Sequence, residues 1–326
     1  MKIFISLFLV LSTCFSSVYA EVPDASGQGT APVYQDSKEI FIKTNDAQIF
    51  CRVFGKGEPI IVVHGGPGLS QDYLLPQMAK LAQTNLVIFY DQRGCGLSTG
   101  AINEDSIQIK TFVDDLEAIR KSFGYKKVTV LGHSWGGFLA MQYAIAHPHS
   151  INKLILLNTM PPSSEGFSLF IQEWMKRMAP YQDELKAIKD TPEFTKGNPS
   201  TIEKYYRIIF GRYCYNSEKA DLLNLYMSPK ASIDGAQVYE IFRQTLFTKS
   251  FNFQDQLKSL KIPTLIVHGD FDPIPPSTAE MLHQNIPDSQ YILIKDCGHF
   301  PYVETPDELF KQLNTFLGGA RDAYSE

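Results

Sequence analysis

Three side chains in the chain order Ser, Asp, His carry the most legible chemistry in these 326 residues. Ser134 lies in Gly132-His133-Ser134-Trp135-Gly136-Gly137, directly after the apolar run Val128-Thr129-Val130-Leu131. A Gly-x-Ser-x-Gly turn between a strand and a helix is what a nucleophile elbow needs. The glycines permit a tight turn that lifts the hydroxyl clear of the sheet, and the helix N-terminus favours negative charge developing beside it. The bland alternative is a Gly-rich turn whose serine only caps the helix. A serine hydroxyl is a weak nucleophile without a base, so the reading depends on an acid and a histidine further along. The run Leu265-Ile266-Val267-His268-Gly269-Asp270-Phe271-Asp272-Pro273 offers Asp272 as the acid, with Asp270 its rival and Asp296 a more remote third. Each of these also has a plain reading as a turn residue bonding local backbone. His299, in Asp296-Cys297-Gly298-His299-Phe300-Pro301, is the one of seven histidines with the right place in the order. His133 reads as a residue that orients the elbow, and His147 and His149 as surface or cap residues. Acyl transfer also needs two backbone donors for the oxyanion. Trp135 supplies one, and Gly66 in His64-Gly65-Gly66-Pro67-Gly68 is the expected second.

Elements must bring these positions together. Residues 38–43 and 48–54 read as a hairpin around Asn45-Asp46, and residues 59–64 as a strand buried on both faces. Strands are expected at 86–90, 127–131 and 151–157, and helices at 106–123 and 136–147. Such alternation predicts a mostly parallel sheet with right-handed crossovers. From 161 to 253 the rhythm stops, and aromatic-rich helical segments, for example 168–177 and 201–215, take its place. It resumes with strands at 263–268 and 290–294 and helices at 277–284 and 306–317. The expected organisation is an α/β core over 38–160 and 254–326, interrupted by a helical cap over 161–253 that governs access to the site.

Composition narrows the function classes. A net charge of -5, with no basic cluster, gives phosphate backbones and anionic lipid nothing to bind, so nucleic acid is not an expected partner. Lys2, the apolar run from Ile3 to Leu11 and the small-residue end Val18-Tyr19-Ala20 read as a secretory signal cut after Ala20, which makes the protein exported, periplasmic or secreted. Lipid attachment at Cys14 is the weaker reading, because Thr13 is large for the preceding position. No other segment is apolar enough to span a bilayer, so no stable membrane association is expected after cleavage. Residues 21–37 read as a flexible leader. Cys51, Cys95, Cys214 and Cys297 are too few for a disulfide framework, and no pair has metal-ligand spacing; neither metal nor cofactor is expected.

His64-Gly65-Gly66-Pro67-Gly68, Asp91-Gln92-Arg93-Gly94-Cys95-Gly96-Leu97-Ser98 and Gly132-His133-Ser134-Trp135-Gly136-Gly137 together resemble the proline iminopeptidase family of α/β-hydrolases. The first two motifs are moderately specific to it, while the elbow is shared across many α/β-hydrolases. The resemblance implies an α/β-hydrolase fold with Ser134 as nucleophile, Asp272 as acid, His299 as base, and Gly66 and Trp135 as oxyanion donors. Asp91 and Arg93 would brace the nearby loops. It further implies release of an N-terminal residue, typically proline, from a small peptide. A carboxylate of the cap would pair with the substrate amine, and Glu165, Glu173, Glu203 and Glu240 are the candidates. A carboxylesterase or a lactone or amide hydrolase on the same triad is the alternative. A non-catalytic binding protein on this fold is the alternative of a different class.

Overall fold

In the computed structural model, which describes residues 20–23, 30–34 and 36–318, the apolar runs become ten strands. They are β1 (Ala20–Pro23), β2 (Thr30–Val33), β3 (Lys38–Lys43), β4 (Gln48–Gly55), β5 (Glu58–Val63), β6 (Asn85–Tyr90), β7 (Val128–His133), β8 (Ile151–Leu157), β9 (Thr264–Gly269) and β10 (Ser289–Ile294). β1 and β2 pair antiparallel within the segment read as a leader. The other eight form one sheet in the order β10-β9-β8-β7-β5-β6-β4-β3, parallel except for the antiparallel pairs β3/β4 and β4/β6. Of residues 1–20, read as a signal, all but Ala20 lie outside the described residues, Cys14 among them.

β5 shows why the sheet is central. Ile60, Ile61, Val62 and Val63 are all fully buried, as a strand covered on both faces must be. Ile61 and Val63 pack in the layer of α1 (Ile109–Ser122) and α2 (Trp135–Ala146). Ile60 and Val62 pack in the opposite layer, which holds Leu309 and Leu313 of the last helix. Register then aligns the strand ends. Val63 pairs with Gly132, Leu157 with Val267, and Ile294 with Gly269, so the loops leaving β5, β7, β8, β9 and β10 share one edge. Parallel sheets place their sites along this carboxyl edge.

Between β8 and β9 the chain is helical: α3 (Ser164–Met178), α4 (Gln182–Lys189), α5 (Pro192–Thr195), α6 (Pro199–Gly211), α7 (Pro229–Phe242) and, rejoining the core, α8 (Gln254–Leu257). Entry and exit are tied together by Ser164 N–H to Phe251 O (2.8 Å) and Phe253 N–H to Pro162 O (3.1 Å). Helices α9 (Pro276–Asn285), α10 (Pro301–Glu304) and α11 (Pro306–Leu317) complete the chain.

Two helices are shorter than their sequence patterns. α1 begins at Ile109 because the Asn103 side chain accepts from the Asp105 and Ser106 amides and holds a turn there. α6 is started by the Asn198 cap on Thr201 and stops at Gly211; the Tyr213 and Cys214 amides still bond back to Phe210 O, while Tyr213 O and the Tyr215 amide bond His299 and Glu304.

Candidate active site

The elbow is built by close approach. A Cβ at Gly132 would lie 2.3 Å from the Gly136 carbonyl oxygen, and one at Gly136 would lie 2.1 Å from that of Val63. Only glycine lets α2 start so close to β7 and β5. Ser134, between them, has φ 57° and ψ -123°, a strained backbone for a residue with a side chain. It is held there by its amide, which donates to Leu157 O (3.0 Å), and by its carbonyl, which accepts from Gly137 and Met160 (2.9 and 3.0 Å). Its half-buried hydroxyl has no hydrogen-bond partner among the described residues, and bonds between nucleophile and base are often long until substrate arrives.

After β9 the chain turns, and the Asp272 carboxylate becomes fully buried beside His299. His299 Nδ1 lies 2.9 Å from Asp272 Oδ2 and 3.1 Å from Oδ1. The Ile274 amide donates to Oδ1 (2.8 Å) and Asn158 Nδ2 to Oδ2 (2.5 Å). Burial alone would push the carboxyl up, but electrostatic attraction to the His299 and His268 rings and the hydrogen bonds from His299 and Asn158 outweigh it and hold Asp272 below its usual value. The two rival acids face water. Asp270 is exposed and accepts only a long bond from the Cys297 amide (3.3 Å), and Asp296 is an exposed left-handed turn residue with φ 52°.

A directional relay joins three loops. The Gly65 amide donates to the Tyr73 hydroxyl (2.6 Å), which is then free to donate to His133 Nδ1 (2.6 Å). His133 therefore carries its proton on Nε2 and donates it to the His299 carbonyl (2.8 Å). Burial first, and the neighbouring His299 second, lower the His133 pKa to about 3, so the ring is neutral as the relay requires. The Gly65 amide is thus committed to Tyr73, and Gly66, the expected second oxyanion donor, follows it with φ 132°. Gln92 ties the same loop to the elbow: its Nε2 donates to His64 O (2.6 Å), and its Oε1 accepts from Trp135 Nε1 (3.0 Å). Asp91 accepts from the Gln71 and Leu97 amides (2.9 and 2.8 Å), and buried Arg93 pairs with Asp115 (2.7 Å) and Asp46 (3.0 Å).

The helical insertion contributes aromatic rings and engaged carboxylates. Successive ring contacts link Trp135 to Phe247 (5.8 Å), Phe247 to Phe167 (5.0 Å), Phe167 to Phe170 (5.8 Å), Phe170 to Tyr213 (6.5 Å) and Tyr213 to His299 (5.3 Å). Of the four acids expected to meet a substrate amine, three are paired within their own helix or the turn after it. Glu173 bonds Arg177 (2.8 Å), Glu203 bonds Arg207 (2.7 Å), and Glu240 bonds Arg243 (2.5 Å). Glu165 is exposed. The Glu173 partner reaches the core, since Arg177 donates to Phe271 O (2.8 Å) and lies over the Phe271 ring (4.3 Å).

Sequence reasoning missed Tyr73, Asn158 and Gln92. Asn158 had a faint signal, as a polar residue directly after the apolar strand β8. Gln92 stood inside the motif Asp91 to Ser98 but with no role assigned, its Trp135 partner lying 43 residues away, and Tyr73 had no signal, its His133 partner lying 60 residues away. Among the described residues, no group of three His, Cys, Asp or Glu side chains could hold a metal ion, and no helix is long and apolar enough to cross a membrane. All four described cysteines are buried free thiols whose pKa values burial pushes up, which makes them unreactive.

Residues 58–306 match the family model described as the alpha/beta hydrolase fold. A proline iminopeptidase of Clostridium botulinum is 30% identical over 275 residues, covering 81% of this chain and 90% of that protein. One of Heyndrickxia coagulans is 30% identical over 279 residues, covering 81% and 91%. The crystal structure of a proline iminopeptidase of Mycobacterium smegmatis superposes with a TM-score of 0.64 at 23% identity, covering 86% of this chain and 98% of that one. The chain therefore belongs to the proline iminopeptidase family of α/β-hydrolases and is a serine hydrolase of that fold.

Proposed function

We propose that this serine hydrolase is an exported aminopeptidase that releases N-terminal proline, or another small residue, from short peptides. The observation that carries the mechanism is the buried Asp272–His299 pair, set on loops that meet the elbow of Ser134. With Nδ1 donating to Asp272, His299 presents Nε2 as the base. It takes the Ser134 proton as the oxygen attacks the carbonyl, and the Trp135 and Gly66 amides receive the oxyanion. His299 then protonates the leaving amine. Water, deprotonated by the same ring, cleaves the acyl-enzyme and returns the proton to Ser134. The insertion over residues 161–253 acts as a cap on the core, a reading supported by the bonds that tie its entry to its exit. Export rests on Lys2, the apolar run after it and Val18-Tyr19-Ala20.

A second reading is favoured by a specific observation. The four candidate cap acids are paired with arginine or exposed, while the rings from Trp135 to His299 are apolar, an environment suited to an uncharged acyl group in an ester, lactone or amide. Prolyl 4-nitroanilide, its N-acetyl form and 4-nitrophenyl butyrate separate the two. The peptidase reading expects turnover of the free-amino anilide and a large loss on acetylation. Good esterolysis with no release from the free-amino anilide would exclude it. Labelling by a fluorophosphonate that Ser134→Ala abolishes is expected under both, and its absence would leave only a binding protein.

A further inference from the structure

The backbone on either side of His299 is held from several directions, and one carboxylate takes both amides that flank it. Glu304, at the end of α10, accepts from the Gly298 amide through Oε2 (3.0 Å) and from the Phe300 amide through Oε1 (3.0 Å). The same Oε2 accepts from the Tyr215 amide (2.7 Å), which belongs to the helical insertion. Between these, the His299 amide donates to the carbonyl of Tyr213, also in the insertion (2.9 Å). The His299 carbonyl accepts from His133 of the elbow (2.8 Å), and that of Gly298 from Asn158 (3.0 Å). The contact is tight: a Cβ at Gly298 would lie 2.0 Å from the Tyr213 carbonyl oxygen. Three consecutive amides, 298 to 300, thus depend on Glu304 and the insertion.

We infer that Glu304 is a positioning residue that fixes the backbone of His299 and registers the insertion segment 213–215 against it, so that the placement of the base and the seating of the cap are one structural event. A half-buried carboxylate accepting three amides is a charge-assisted clamp with little freedom. Its aim is the pair of peptide units that set where the imidazole points. Glutamine has one acceptor oxygen in place of two and must turn an NH₂ toward a donor. Aspartate keeps the charge but has a shorter arm. A displacement of the base by about 1 Å costs on the order of a hundredfold in rate.

The inference rests on the triad reading, and the experiment separates the two. 4-Nitrophenyl butyrate serves as substrate, since it needs no free amine, and fluorophosphonate titration counts folded sites. Ser134→Ala loses turnover; if it does not, the triad reading fails and takes the inference with it. Glu304→Gln is expected to lower kcat per titrated site by about ten- to a hundredfold with KM within about threefold. Glu304→Asp is expected to lower kcat as well. If Ser134→Ala is inactive while both Glu304 variants keep wild-type kcat per site, or lose activity only through KM, Glu304 does not position the base. Should Glu304→Gln not fold, the aspartate variant decides alone by the same criterion.

Discussion

His299 is held through both its ring and its backbone. Its ring is aligned by Asp272, and its carbonyl is reached by the relay that begins at Gly65. Asp272→Asn keeps the shape of the carboxyl but offers an NH₂ to Nδ1 and so selects the wrong tautomer. Its kcat on 4-nitrophenyl butyrate is expected to fall by about 10⁴-fold with the melting temperature little changed. Tyr73→Phe removes one oxygen and leaves both the Gly65 amide and His133 Nδ1 without their partner in a buried place. Urea unfolding is expected to show a loss of about 1–3 kcal/mol, and kcat should fall with KM nearly constant, because the oxyanion loop and the base loop lose their common tie. A Tyr73→Phe enzyme with unchanged kcat would mean that the relay is only a stabilising contact.

Elements matter here through how closely they approach. α7 lies against the oxyanion loop at a point where neither partner has a side chain: a Cβ at Gly235 would sit 2.0 Å from the Gly68 carbonyl oxygen, and one at Gly68 would sit 2.2 Å from that of Gly235. Gly235 is inside a helix, where alanine by itself stabilises by roughly 0.5–1 kcal/mol. Gly235→Ala is nevertheless expected to destabilise by about 1–3 kcal/mol in urea unfolding, because the added methyl overpacks a backbone contact that cannot yield without moving α7 or the Gly66 amide. A gain in stability would show that the helix relaxes away from the loop at no cost. α6 ends at Gly211 where the chain turns toward the loop of His299: the Tyr213 and Cys214 amides close a last turn on Phe210 O, while Tyr213 O accepts from the His299 amide and the Tyr215 amide donates to Glu304. Apolar periodicity carries no trace of those bonds.

At the scale of the whole molecule, three fully buried histidines tie stability to pH. Burial lowers the His64 pKa to about 4 and that of His133 to about 3, and lowers His268 as well. In the unfolded chain each returns to about 6.5. Below that value the unfolded state binds protons that the folded state refuses, so unfolding is favoured progressively as pH falls from 6.5 toward the folded values. Each group contributes up to about 1.4 kcal/mol per pH unit in that window. Asp91 and Asp115, pushed up by burial, act in the opposite direction at acid pH. The urea midpoint is expected to drop between pH 7.5 and 5.0, and an unchanged or rising midpoint would contradict neutral buried histidines.

The sequence by itself determined the eight strands of the central sheet, the elbow and the chain order of a serine, a carboxylate and a histidine, because each rests on patterns a few residues long: apolar runs with sharp ends, and glycines beside a serine. It also left choices that only the tertiary structure decided. Asp272 rather than Asp270 or Asp296 carries the hydrogen bond to His299, since the turn after β9 buries one carboxylate and leaves the others in water. Gly65 is taken by a tyrosine eight residues on, and Asn158 meets Asp272 across 114 positions. Three of the four insertion acids that looked available, Glu173, Glu203 and Glu240, are paired with arginines on neighbouring turns. The physical reason is common to all of these. Which polar groups satisfy one another in a buried place is set by sheet register and helix packing, and a local pattern specifies neither across a hundred residues.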